Sequence, residues 1–233
     1  AGTNRRWPVL WAAFAAYLLD SYDLIVLAIA MPVLLKVLDI TLPQGGLIGS
    51  ATMAGAMIGS VVFGLIAENR GRRVALIAAL LWLGAGMGAV YLVHSLGMWM
   101  ALRGLTGLAI GGIWGPCSAL IADHWSPRYR GRAASFVLSS FAVGAVMASF
   151  AGRIVLDTDW RLLFLLGTAS IPFALVAARL VPRDRPAGKT RDGGAETGRV
   201  GIADIFRGGV GKTTLLATLV SLINLAGYWG AAY

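Results

Sequence analysis

The amino-acid sequence predicts an all-α membrane protein, a bundle of six transmembrane helices followed by most of a seventh. Three observations lead there. Of the 233 residues, 58% are apolar and only 13% are charged, against roughly 45–50% and about 25% in soluble domains. Apolar stretches of spanning length recur six times before a polar break, and the basic residues gather on one side of those stretches. A soluble core would have to hide more apolar surface than a domain of this size encloses, which excludes soluble globular, disordered and collagen-like classes.

A spanning helix needs about 20 mainly apolar residues. The stretches 8–35, 44–67, 74–93, 97–122, 133–156 and 160–181 qualify, and a seventh begins near Thr213 and runs to Tyr233. The first is long enough to tilt, and Pro32 is placed to bend its outer end. Connectors are short except for 182–212, rich in Gly, Arg, Asp and Pro. The expected organisation is a six-helix bundle at 1–181, a hydrophilic linker at 182–212, and the start of something else at 213–233. Opening on Ala1, showing no removable signal peptide and stopping inside an apolar run, the sequence reads as a fragment.

Orientation follows from the basic residues, which favour the cytoplasmic side. Arg5, Arg6, Arg70, Arg72, Arg73, Arg128, Arg130, Arg132, Arg179 and those of the linker through Lys212 number sixteen on one side; Lys36, Arg153 and Arg161 are three on the other. The amino terminus and the linker are therefore expected in the cytoplasm of a multi-pass protein of the cytoplasmic (inner) membrane. The net charge of +9 becomes a topology signal, and nucleic acid is not the expected partner. Cys117 is the sole cysteine, so no intramolecular disulfide is possible. His94, near an outer helix end, and His124, placed in a cytoplasmic loop, have no metal-ligand company. Gly208 to Thr214 imitates a phosphate-binding loop, but the position needing the leading glycine is Phe206, and no strand precedes it. No nucleotide, metal or cofactor is expected.

Ionisable groups in lipid cost a few kcal/mol each, so they imply a purpose or a partner. Asp20, Asp23 and Arg103 stand inside apolar spans. Asp20 and Asp23, three residues apart, share one helix face, about 20 and 24 Å up the first helix at 1.5 Å per residue. Arg103 lies about 9 Å below the outer end of the fourth span on the same reckoning, which in a core of about 30 Å matches the depth of Asp23. The three are the candidate proton- and substrate-coupling residues. A carboxylate substrate would compete with Asp23 for the guanidinium, and that competition is a coupling device. A buried Asp–Arg pair that only fixes helix register is the simpler alternative. Tyr22, Trp114, Asn224, Tyr228 and Trp229 are candidate cavity walls, with interfacial anchoring the alternative for the aromatic ones. Glycines at spacing four (Gly45/Gly49, Gly55/Gly59, Gly84/Gly88 and Gly107/Gly111/Gly115) allow close helix packing in lipid.

Between the second and third spans stands Gly64-Leu65-Ile66-Ala67-Glu68-Asn69-Arg70-Gly71-Arg72-Arg73. Arg72 and Arg73 suit a cytoplasmic helix end, whereas Glu68 sits at the wrong pole of that dipole and needs a cation or another helix's amino terminus. Gly71 supplies a tight turn. This segment resembles the cytoplasmic signature of the major facilitator superfamily, with Glu in place of the commoner Asp and Asn69 at a usually basic position. Arg103 to Gly112 looks like the family's fourth-helix signature. Pro127-Arg128-Tyr129-Arg130-Gly131 resembles the loop after that helix in organic-solute symporters, and Asp20-Ser21-Tyr22-Asp23 is similar to the first-helix segment of metabolite– and aromatic acid–proton symporters.

The resemblance implies the amino-terminal half of a twelve-helix secondary transporter, with alternating access and no bond chemistry, and so no enzyme. The expected cargo is a small organic anion with protons. Gly64, Glu68, Gly71, Arg72, Arg73 and Arg130 would form a cytoplasmic gating motif, Glu68 latching onto the missing carboxyl-terminal six-helix half. A sugar or drug carrier of the same superfamily is the alternative, disfavoured by Val181-Pro182-Arg183-Asp184 and by Gly144-Ala145-Val146-Met147 where those groups carry other segments. A non-transporting receptor or scaffold is the rival from outside it.

Overall fold

The computed structural model describes residues 6–156 and 158–182, with Leu216, Leu219, Val220 and Ile223 beyond them. The chain divides into two units, residues 1–187 and 188–233. In the second, the four described positions are helical and exposed. The linker 183–212, the glycine-rich decoy at 206–214, and Asn224, Tyr228 and Trp229 lie outside the described residues.

The first unit is built from α1 (Arg6–Val37), α2 (Leu42–Arg70), α3 (Arg72–Gly88), α4 (Leu96–His124), α5 (Pro127–Val155), α6 (Arg161–Gly167) and α7 (Ser170–Leu180). A 3₁₀ turn, Ala89–Leu92, prolongs α3, and α6 with α7 makes one span, Arg161–Leu180. Six helices are thus long and apolar enough to cross a membrane.

Local chemistry sets the boundaries. Thr41 precedes α2, its backbone N–H donating to Gln44 Oε1 at 2.8 Å, and Pro43 occupies the first turn where its missing N–H is harmless. Gly71 alone separates α2 from α3, with φ of 101°, a backbone that a side chain rarely tolerates. Ser95 caps α4, its hydroxyl accepting from the Met98 N–H. Two expectations are corrected here. Pro127 to Gly131 is not a loop: Pro127 opens α5, where proline suits the first helical position, so that helix starts six residues before the expected 133. His124 is the last residue of α4 rather than a loop residue. The sixth span is also interrupted at Thr168–Ala169, because Pro172 offers no N–H to the Thr168 carbonyl one turn back.

Packing turns on glycine. A Cβ on Gly55 would strike the Gly104 carbonyl, one on Gly59 that of Leu108, one on Gly107 that of Thr52, and one on Gly111 that of Ala56. In lipid, where no hydrophobic force separates protein from solvent, such backbone contact drives association. Gly144 brings α5 onto α1 in the same way, against Ser21 and the Leu18 carbonyl. Gly49 and Gly115 do not follow the expected pattern, since nothing lies within 4 Å of a Cβ added to either. We expect Gly111→Val to cost about 1–3 kcal/mol by overpacking and Gly49→Ala to be neutral or slightly stabilising. Thermal midpoints of the detergent-purified protein would check this.

Two apolar clusters fill the bundle. One gathers Val9 to Tyr17, Ala75 to Leu83, Ala109 to Ile121 and Ala174 to Val181; the other gathers Tyr22 to Leu34, Met87 to Trp99, and Leu163 with Phe164. Along α1, α4, α5 and α7 the fully buried polar residues fall where one cluster gives way to the other: Asp20, Ser21, Asp23, Arg103, Thr106, Ser140 and Ser170. This polar belt at mid-bundle positions the site.

Candidate functional site

α1 and α4 carry the belt's charged members. Asp20 and Asp23, one turn apart, face α4, on which Arg103 and Trp114 are separated by about three turns and so share a face. Arg103 Nη1 donates to both Asp23 oxygens, at 2.7 Å to Oδ1 and 2.9 Å to Oδ2. Trp114 Nε1 donates to Asp20 Oδ2 at 2.6 Å. Both carboxylates are 0% exposed and Arg103 1%. The guanidinium carbon lies 4.9 Å from the Phe164 ring centroid and 6.0 Å from that of Trp99, so aromatic faces offer it a second favourable surface. Asp23 and Arg103 cancel in charge, whereas no cation pairs with Asp20 among the described residues.

The arrangement has spare capacity. Arg103 Nε and Nη2 and Asp20 Oδ1 are buried with no hydrogen-bond partner among the described residues. Unpaired buried donors on a guanidinium are costly, and a carboxylate fits such a fork. Chemically, the cluster can bind an anion and hold or pass a proton. Among the described residues no group of three His, Cys, Asp or Glu that could hold a metal ion occurs.

The expected cavity walls divide. Trp114 is 43% exposed. Tyr22 is not on an open wall: its hydroxyl donates to the Leu163 carbonyl at 2.9 Å and its ring packs in the α1–α6 contact. At the far end, Arg72 forms an ion pair with Asp123 and donates to the Ala119 carbonyl at 3.1 Å, while Arg73 donates to the Ala178 carbonyl. Those bonds tie the α2–α3 turn to the ends of α4 and α7. Glu68 makes no hydrogen bond or ion pair among the described residues, and Gly64 has open space beside it. Arg130 Nε donates to the Trp125 carbonyl at 2.9 Å.

Sequence reasoning missed Asp123, whose signal was an acid at a helix carboxyl end, as unfavourable there as Glu68. It also missed Ser21, Thr106, Ser140 and Ser170, since a serine or threonine in an apolar span gives little notice of its depth.

Six apolar spans among the described residues, packed around an enclosed carboxylate–guanidinium cluster, define a multi-pass membrane protein. The chain belongs to the Major Facilitator Superfamily, the family profile matching residues 13–233. It is 25% identical over 232 residues to the "Probable 4-methylmuconolactone transporter" of Cupriavidus pinatubonensis, covering 97% of this chain and 54% of that protein. It is 28% identical to the cis,cis-muconate transport protein of Acinetobacter baylyi, covering 77% of this chain and 44% of that one. Its fold superposes on the structure of the proton:xylose symporter XylE bound to 6-bromo-6-deoxy-D-glucose with a TM-score of 0.69, at 19% identity, over 78% of this chain and 46% of that chain. The chain spans about half the length of the curated relatives it matches.

Proposed function

We propose that the full-length protein is a secondary transporter that carries a small organic anion with protons by alternating access, residues 1–181 forming one of two six-helix halves that rock about a mid-depth site. The observation carrying this is the enclosed Asp23–Arg103 pair with its unused guanidinium donors. A proton on Asp23 would release Arg103 to an incoming carboxylate, and the substrate's own charge would then replace that of Asp23. Binding and protonation are thereby linked, and one proton accompanies each negative charge. Asp20, lacking a counter-charge, takes the proton first and passes it one turn along α1. No bond to carbon is made or broken, so the protein is not an enzyme.

The names of the relatives support an unsaturated carboxylate as cargo. The excess of basic residues on one side supports a cytoplasmic amino terminus in the inner membrane, with 182–212 as the linker between halves and 213–233 opening the second. Glu68, unpaired among the described residues, is suited to a contact with that second half, and Arg72 and Arg73 hold the turn that presents it. The test is uptake of labelled benzoate, cis,cis-muconate and related acids into proteoliposomes under an imposed proton gradient. Accumulation that collapses with the gradient is expected; no accumulation across such a panel would remove the proposal.

A further inference from the structure

Trp114 is the exposed member of a sealed cluster, 43% exposed beside an Asp20 that is wholly buried. Besides its hydrogen bond to Asp20, its ring stacks on Tyr17, with centroids 5.6 Å apart and planes 21° from parallel. Tyr17 in turn lines a groove of about 340 Å³ with Cys117, Ser118, Arg130 and Gly131, among others from α4 and α5. That volume has room for about ten waters. Tyr17 and Cys117 stand three residues along their helices from Asp20 and Trp114, about 4.5 Å of rise. Tyr17 is thus the groove-lining residue nearest Asp20 along α1, and Trp114 backs it from the carboxyl side. Pro116 lies inside α4 two residues beyond Trp114, where it withholds one backbone N–H from the helix ladder. The ionisable groups facing Asp20 and the groove are Tyr17 and Asp23 on α1, Cys117 on α4 and Arg130 on α5, with Arg103 held by Asp23.

We propose that Trp114 is a positioning residue and lid: its indole N–H holds the Asp20 carboxyl, its ring backs Tyr17 where that residue lines the groove, and Asp20 exchanges its proton with groove water only when the indole swings away. This rests on Asp20 taking part in proton transfer, as proposed above. The proton passes from groove water to a carboxylate oxygen and back, with no other bond changed.

The test is the rate at which a water-soluble carbodiimide modifies Asp20 in the full-length protein in proteoliposomes, read by mass spectrometry. Trp114→Phe keeps a ring and removes the donor, and we expect Asp20 to react roughly tenfold faster than in wild type, the scale of one hydrogen bond to a charged group. Trp114→His restores a donor and should bring the rate back toward wild type. Equal rates in wild type and Trp114→Phe overturn the lid, as does a His variant no slower than the Phe variant. Gradient-driven uptake by Asp20→Asn separates the two layers: normal accumulation sinks the proton role of Asp20 whatever the labelling shows. Lost accumulation together with unchanged labelling sinks the lid alone.

Discussion

Gradient-driven accumulation is expected to fall about a hundredfold or more in Asp23→Asn, the scale on which a positioned proton-transfer group acts, while exchange of substrate across the membrane persists. The asparagine still presents an oxygen to Arg103 Nη1, which lies 2.7 Å from Asp23 Oδ1, but it leaves the buried guanidinium without its counter-charge, so the thermal midpoint should fall as well. What disappears is the charge that competes with substrate. Arg103 is then permanently available, and loading no longer depends on a proton. Substrate can still be carried in both directions but not concentrated. Counterflow and proton-driven uptake measured on one proteoliposome preparation check this; a variant that accumulates like wild type would remove Asp23 from the coupling.

Arg103→Gln should strongly destabilise the bundle. It leaves Asp23 at 0% exposure without its counter-charge, and breaking a buried pair in this way costs about 3–5 kcal/mol. Pairing it with Asp23→Asn removes both charges together, so the double variant should recover much of the thermal midpoint lost by Arg103→Gln. It should recover no anion transport, because the donors of the guanidinium are gone. A purely structural pair would behave differently, with transport returning as the fold returned. Any neutral substrate should also suffer less than a carboxylate in Arg103→Gln; equal losses for both would mark Arg103 as structural.

How much was legible in the sequence depends on how costly each feature is. A charge inside an apolar span is so unfavourable that Asp20, Asp23 and Arg103 announced themselves, and counting rise from helix ends placed Asp23 and Arg103 at one depth. The spans were equally plain, since length and hydropathy suffice. Pairing between Trp114 and Asp20 was not, because tryptophan is common both at membrane interfaces and in cavity walls. Arginine density and a proline made Pro127–Gly131 look like a loop, whereas proline at the first position of a helix and basic residues outside lipid satisfy both constraints. Glycine spacing marked faces suited to close packing without saying that the second span meets the fourth, and it overcounted, since a repeat of four says which residues share a face and not what that face meets. Tyr22 was misplaced for the same reason. Its neighbour in space, Leu163, lies far along the chain, and no local pattern points to it.

The glycine seam between α2 and α4 has a consequence for biogenesis. Its contacts are backbone against backbone, with the Gly104, Leu108, Thr52 and Ala56 carbonyls filling the places where side chains would stand. α2 therefore reaches the bilayer with that groove bare, and the helix that fills it in the folded bundle is absent until α4 has been synthesised. Between those moments lipid chains occupy the groove, and their displacement makes the pairing of the second and fourth segments a post-insertion event, governed by the order in which the ribosome delivers them.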